Sequence, residues 1–267
     1  MKTIETELFG KDYAEYSAIF FTDDGIIVES KTSSPVLQYT KTINQLELLI
    51  ETVYLDNSIL IVKCQSSLTL DQVLNNGFYI QNAKTFLGLT NQEEIQKLIL
   101  RSVHWLTWDA NLQFCSKCGG EIQKVFATTE KKCNLCNLSF FPKLSPAVMV
   151  VIQRKNEILL ARSAHFNSGV YSAIAGFIDI GETAESAVHR EVKEEVGLEI
   201  SELTYFKTQS WPFPDSFMIA FKAKYLRGTI NIDMNEIEDA RWFNLNNLPQ
   251  LPSYPSVSRE LIDSFIQ

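Results

Sequence analysis

Between Thr183 and Gly197 the chain carries Ala184, Val188, Val192 and Val196 at four-residue spacing, with glutamates at 191, 194 and 195 among them. At about 100° per residue the apolar positions define one face of a helix, opened by an N-capping Thr183 and stopped by Gly197. Glu195 falls on that face, Glu191 at its edge and Glu194 a little further round, while His189, Arg190 and Lys193 lie on the other side. A solvated acidic helix turns its carboxylates away from the core, because an unpaired buried charge is costly. Like charges at i, i+3 and i+4 also repel one another. A cation among them removes both problems, and hard divalent ions such as Mg²⁺ or Mn²⁺ take oxygen ligands. Arg190 stands four residues before Glu194, placed to pair with it and orient it.

The rest of the chain has to supply a scaffold for that helix. Its 267 residues exceed one ordinary core, and their composition, 45% hydrophobic and 21% charged, is that of a globular protein. Character changes along the sequence predict an α/β domain over 1–110, a small module over 111–142 and a further domain over 143–267. A net charge of −8 disfavours a large non-specific DNA-binding face and repels anionic substrates unless cations intervene. No apolar run approaches the roughly 20 residues that cross a bilayer, and MKTIETELFGKDYAEY reads without an apolar leader. The expectation is a cytoplasmic protein with no membrane partner.

In the first domain, two apolar runs around Thr22-Asp23-Asp24-Gly25 predict a hairpin, and Ile43, Leu46, Leu49, Ile50 and Val53 have helical spacing. Ile59 to Val62 reads as a strand, and Thr90 followed by Glu93 as a capping box opening a helix. Nothing in this domain points to chemistry; scaffolding or dimerisation is the expected role. Next come two knuckles, Cys115-x-x-Cys118 and Cys133-x-x-Cys136. Four thiolates at this spacing close a tetrahedral shell around Zn²⁺ and leave no position for water, so the metal is structural. The fifth cysteine, Cys64, sits in an apolar strand and reads as a buried free thiol. From Ala147 a hairpin (147–153 and 157–162) precedes the glutamate helix, more strands follow it, and Val257 to Phe265 forms a last helix.

The stretch from Gly176 to Leu198 matches the Nudix box, G-x5-E-x7-R-E-U-x-E-E-x-G-U with U aliphatic. The specified positions are Gly176, Glu182, Arg190, Glu191, Val192, Glu194, Glu195, Gly197 and Leu198. Downstream, Thr208-Gln209-Ser210-Trp211-Pro212-Phe213-Pro214-Asp215-Ser216 resembles the SQPWPFPxS array of the NADH pyrophosphatase subfamily, with Thr208 for the first Ser and Ser210 for the first Pro. The resemblance implies an α/β/α sandwich with a mixed sheet, preceded by an α/β domain and a zinc ribbon. It implies metal-dependent hydrolysis of NAD(H) to nicotinamide mononucleotide and AMP, with removal of NAD caps from RNA 5′ ends as in some relatives, and a homodimer. Catalysis then falls to Glu191, Glu194, Glu195, Arg190 and Glu182, with Glu195 or Glu194 as proton acceptor. The Mg²⁺ or Mn²⁺ ligands it implies are Ala175 (through its carbonyl), Glu191, Glu194, Glu195 and Glu236.

For substrate, the resemblance implies contacts from 209–216, from Phe141 and from the main chain of Ser258. Physical sense supports the array: Trp211 and Phe213 offer flat faces to a base or nicotinamide, stiffened by Pro212 and Pro214, while Gln209 and Ser216 supply hydrogen bonds. Phe141 replaces the substrate-contacting Tyr of relatives, and Thr128 stands where a carboxylate contacts substrate. Two alternatives to NAD(H) hydrolysis are a Nudix enzyme for another nucleoside diphosphate derivative, such as ADP-ribose, and a non-catalytic nucleotide- or RNA-binding protein. The latter would be expected to lack one of Glu191, Glu194 or Glu195, and all three are present.

Overall fold

A computed structural model describes residues 2–3, 16–56, 58–65, 68–125, 128–164 and 168–266. The stretch read as free of a leader lies largely outside them. The chain divides into two compact units, Met1–Lys143 and Leu144–Gln267.

The first unit is built on a sheet of β1 (Lys2–Thr3), β2 (Ser17–Phe21), β3 (Ile26–Glu29), β4 (Leu37–Gln38), β5 (Ile50–Asp56), β6 (Ile59–Cys64) and β7 (Phe78–Gln81). Their order is β1-β5-β6-β2-β3-β7, with β4 paired to β2. The predicted hairpin is β2–β3, and Cys64 is buried, its thiol pushed up to about 12 chiefly by that burial. Four helices accompany the sheet: α1 (Tyr39–Leu46), α2 (Leu70–Asn75), α3 (Ala83–Leu89) and α4 (Glu93–Asn111). Two local expectations fail here. The helical spacing from Ile43 does not run through to Leu55: Glu47 turns left-handed at φ 51° to end α1, and the chain re-enters as β5. The β-branched pair at Ile50 and Val53 suits a strand as well as a helix, and sheet pairing decides. Thr90 does not cap α4 either. It is the C-cap of α3, and α4 starts after Gln92 without a side-chain cap.

The cysteine module belongs to this unit as a small sheet of β8 (Ile122–Lys124), β9 (Lys131–Cys133) and β10 (Ser139–Phe140). It is clamped to α4 by charge. Lys131, almost fully buried, lies 2.7 Å from the Asp109 carboxylate and donates to the carbonyls of Asp109 (2.6 Å) and Leu112 (2.9 Å). Lys124, its cross-strand partner, reaches the same carboxylate at 2.8 Å, and the Tyr54 hydroxyl donates to it as well. Burial alone would raise the Asp109 carboxyl, but these three donors hold it below its ordinary range. Asp109→Ala would strand the Lys131 ammonium in the interior and should cost about 3–5 kcal/mol, read as a fall in the urea midpoint.

The second unit is a mixed sheet of β11 (Ser145–Arg154), β12 (Glu157–Arg162), β13 (Ile174–Phe177), β14 (Glu199–Trp211), β15 (Ser216–Arg227) and β16 (Asp239–Asn244). The order is β14-β15-β11-β12-β16 with β13 on β11; β11 and β15 are parallel, the other pairs antiparallel. Alternation along the central strands splits the core in two. Val148, Val150, Ile152 and Leu159 face α5 (Ala184–Val196), against Val188, Val192 and Val196. Met149, Val151, Ile158 and Leu160 face α6 (Val257–Asp263), against Leu261 and Ile262. Each fully buried valine of α5 contributes about 1.5–3 kcal/mol. The result is the α/β/α sandwich with mixed sheet that the sequence implies, with the glutamate helix forming one outer layer. Among the described residues no helix is long and apolar enough to cross a membrane.

Candidate functional site

Helix α5 is fixed at both ends by its own sequence. Thr183 Oγ1 accepts from the Ser186 N–H at 3.2 Å, and Ser186 Oγ accepts from the Thr183 N–H at 2.9 Å, a closed capping box. Gly197, at φ 73°, makes the left-handed exit. Glu191 and Glu195, one turn apart, are buried at 7% and 4% exposure, as the helical wheel requires. Glu191 can occupy its place only because residue 176 is glycine: a Cβ there would stand 2.0 Å from the Glu191 carboxyl carbon.

The third carboxylate arrives from the other side. After β15 the chain runs against the end of α5, where the Asn231 and Asp233 N–H groups donate to the carbonyls of Val196 and Glu195, each at 3.0 Å. That loop carries Glu236 to the helix, and one carboxylate oxygen from each of Glu191, Glu195 and Glu236 lies within 4.8 Å of the others. Glu195 Oε2 is buried and has no hydrogen-bond partner among the described residues. Burial first, then the charges of Glu191, Glu236 and Glu194, push the Glu195 carboxyl up to about 8, and burial also raises Glu191. An orphaned oxygen facing two further carboxylates fits a hard divalent cation. A cavity of about 330 Å³ opens beside it, lined by Ala175, Glu195, Asn235 and Glu236 among others.

Arg190 organises the opposite edge. Its Nε and Nη2 grip the two Glu182 oxygens at 2.8 Å each, Nη1 donates to Glu191 (2.8 Å) and Glu194 (3.0 Å), and Nη2 also reaches the Phe177 carbonyl at 2.8 Å. The Arg190 bonds, with the Asp179 N–H, hold the Glu182 carboxyl down at about 2. Glu194 pairs with Arg190 as its spacing predicts, yet it is exposed and stands outside the three-carboxylate group.

The aromatic array spans the end of β14, the turn at 212–215 and the start of β15. Trp211 and Phe213 meet edge to face at 5.2 Å, and Trp211 also packs on the α6-side core. Gln209 is engaged within the chain: its Nε2 donates to the Pro255 carbonyl at 2.6 Å and its Oε1 accepts from the Val257 N–H at 2.8 Å. The Ser258 hydroxyl is hydrogen-bonded to that of Ser172 at 2.7 Å and accepts from the Ala173 N–H at 3.3 Å. Phe141 is exposed on the first unit. Ser163 and Asn235 also stand in the cavity wall, and neither is marked in the sequence by any motif.

In the first unit, the four cysteines of the ribbon converge, one Sγ from each lying within 4.8 Å of the others. Left-handed residues, Gly119 (φ 73°) and Asn137 (φ 57°), turn the two knuckles. The N–H groups of Cys136 and Leu135 point at Cys133 Sγ and draw that thiol down, while at Cys118 the lowering by the Gly120 backbone is outweighed by the neighbouring sulfurs and the thiol is raised.

The NUDIX domain family model matches residues 143–265. Over 159 residues, 60% of this chain, it is 45% identical to the NAD-capped RNA hydrolase NudC of Pseudomonas aeruginosa, covering 57% of that protein. The NudC of Pseudomonas syringae pv. tomato is 45% identical over 160 residues, 60% of this chain and 58% of that protein. That of Pseudomonas fluorescens is 41% identical over 178 residues, 67% of this chain and 64% of that protein. The chain thus spans somewhat less than two thirds of the length of these relatives. The box on α5 and the sandwich beneath it both fall within the span, residues 143–265, that matches the NUDIX domain.

Proposed function

We propose that the protein hydrolyses the pyrophosphate of NAD(H) to nicotinamide mononucleotide and AMP with the help of Mg²⁺ or Mn²⁺, and that it removes NAD caps from RNA 5′ ends. The observation that carries this reading is the cluster of Glu191, Glu195 and Glu236 around an unpartnered buried oxygen, beside a cavity. The names of its relatives support the substrate class.

In this reading the three carboxylates and the Ala175 carbonyl hold the cation, which when bound neutralises pyrophosphate charge and acidifies water. Glu195, at the cavity wall, takes the proton of the attacking water. Arg190 keeps Glu191 and Glu194 in fixed directions, and Glu182 fixes Arg190 in turn. Trp211 and Phe213 present ring faces to the substrate, with Ser210, Pro212, Pro214, Asp215, Ser216 and Ser258 as its further contacts; Gln209 serves them by holding Pro255 and Val257. The four cysteines hold one structural Zn²⁺. A cytoplasmic homodimer completes the reading.

The test is a comparison of kcat/KM for NADH, NAD⁺, NAD-capped RNA, ADP-ribose and dinucleoside polyphosphates with Mg²⁺ or Mn²⁺. NAD-containing substrates should lead; preference for ADP-ribose would overturn the assignment.

A stability measurement with no substrate present bears on the same cluster. A carboxyl raised from 4.5 to about 8 by folding contributes stability that is complete below pH 4.5 and is lost as pH rises through 8. A bound divalent cation cancels that loss. Added Mg²⁺ should therefore raise Tm more above pH 8 than near pH 4.5, and an equal rise at both would refute the cluster as its site.

A further inference from the structure

The loop from 228 to 238 contains no helix or strand, and Met234, Asn235 and Glu236 are exposed. An exposed glutamate on such a loop should swing into water, away from Glu191 and Glu195, whose like charges repel it. Glu236 nevertheless meets them. The ends of the loop are secured by main-chain bonds: Asn231 N–H to the Val196 carbonyl at 3.0 Å, and Glu238 N–H to the Arg162 carbonyl at 2.8 Å. An ion pair between Arg162 and Glu238 at 2.7 Å reinforces the second anchor. Between the anchors, the polar connections converge on one residue.

That residue is Asp233. Its N–H donates to the carbonyl of Glu195 at 3.0 Å, so the loop is tied to the very residue whose side chain enters the cluster. Its own carbonyl accepts from the N–H groups of Glu236 (3.1 Å) and Ile237 (2.9 Å). Its carboxylate Oδ1 accepts from the Asn235 N–H at 2.9 Å and from the Asn235 side-chain amide at 2.8 Å. The carboxylate thereby folds an Asx-type turn, and the turn faces Glu236 inward.

We propose that Asp233 is the positioning residue for Glu236: it folds the turn that presents this carboxylate to Glu191 and Glu195, and so sets the affinity of the site for a divalent cation. The proposal rests on reading those three glutamates as the cation-binding set. Asp233 acts through hydrogen-bond geometry, accepting two N–H donors, and not through its charge. An asparagine can accept the same two bonds with its Oδ1; an alanine cannot.

The experiment measures Mn²⁺ binding to the full zinc-loaded chain by the electron paramagnetic resonance of free Mn²⁺, with no substrate present. Asp233→Ala should weaken binding about 10-fold or more, the usual effect of removing a group that orients a ligand. Asp233→Asn should bind like the wild type. Because Asp233 works through Glu236, adding Asp233→Ala to Glu236→Gln should weaken binding no further. Should the alanine variant not fold, Asp233→Ser takes its place, its one hydroxyl acceptor giving an affinity between those of wild type and Glu236→Gln. Wild-type affinity in Asp233→Ala would overturn the proposal. So would Asp233→Asn as weak as the alanine variant, which would point to charge, or a further loss in the double variant. Glu191→Gln separates the two levels: if it binds Mn²⁺ as the wild type does, the cation-binding set itself is wrong, and the positioning role falls with it.

Discussion

Glu195→Gln should lower kcat for the proposed NAD(H) hydrolysis by about 10²- to 10⁴-fold, the range expected when a group that moves a proton in the transition state is lost. The side chain keeps its size and loses its charge. In the wild type that charge is buried, with no hydrogen-bond partner on Oε2 among the described residues and with two like charges close by. Removing it relieves repulsion and desolvation in the metal-free protein, so the variant should melt no lower than wild type in chelator above pH 8. The paired measurement matters, because loss of turnover with an unchanged or higher Tm cannot come from unfolding. Turnover surviving at the wild-type rate would take the catalytic role away from α5.

The second large effect concerns the cysteines. If the four thiols hold the proposed zinc, Cys133→Ala should abolish one equivalent of it by elemental analysis and free the module from α4. Cys133 lies two residues after Lys131 in β9, so a metal on the four thiols would hold the same short strand as the buried Lys131–Asp109 pair. A module of three strands of two or three residues has too little core to stay folded without its ion. Hydrogen exchange should accelerate across residues 112–142 and into the last turn of α4, because the Asp109 carbonyl and that of the C-capping Leu112 receive Lys131. Undiminished zinc content in the variant would show that the four thiols are not its site.

Features set by short-range spacing are legible in the sequence alone. Thr183, the valines at 188, 192 and 196, and Gly197 specify α5 by local rules, and the same wheel places Glu191 and Glu195 inward. The alternation at Ala147–Ile152 likewise assigns each side chain to one face of the sheet. What escapes such reading depends on partners distant in sequence. Thr90 has the composition of a helix start, but α3 ends on it, and Gln96 donates to its carbonyl from the first turns of α4. Gln209 reads as a substrate donor within its array, whereas residues 46 and 48 positions away use both ends of its amide. Glu194 shares a motif with Glu191 and Glu195, yet its place on the wheel leaves it in water, where Arg190 engages it. Glu236 is locatable only by resemblance, since nothing in its local sequence says that its loop returns to α5.

A guanidinium has five N–H bonds in a fixed plane, and five acceptor contacts meet that of Arg190: two oxygens of Glu182, one each of Glu191 and Glu194, and the Phe177 carbonyl. Donor supply and acceptor demand match one for one. A lysine, with three donors radiating from a single atom, would conserve the charge and still leave at least two of those acceptors without a donor. Position 190 is therefore selected by valence and shape as well as by sign, and charge-conserving replacement is no replacement there.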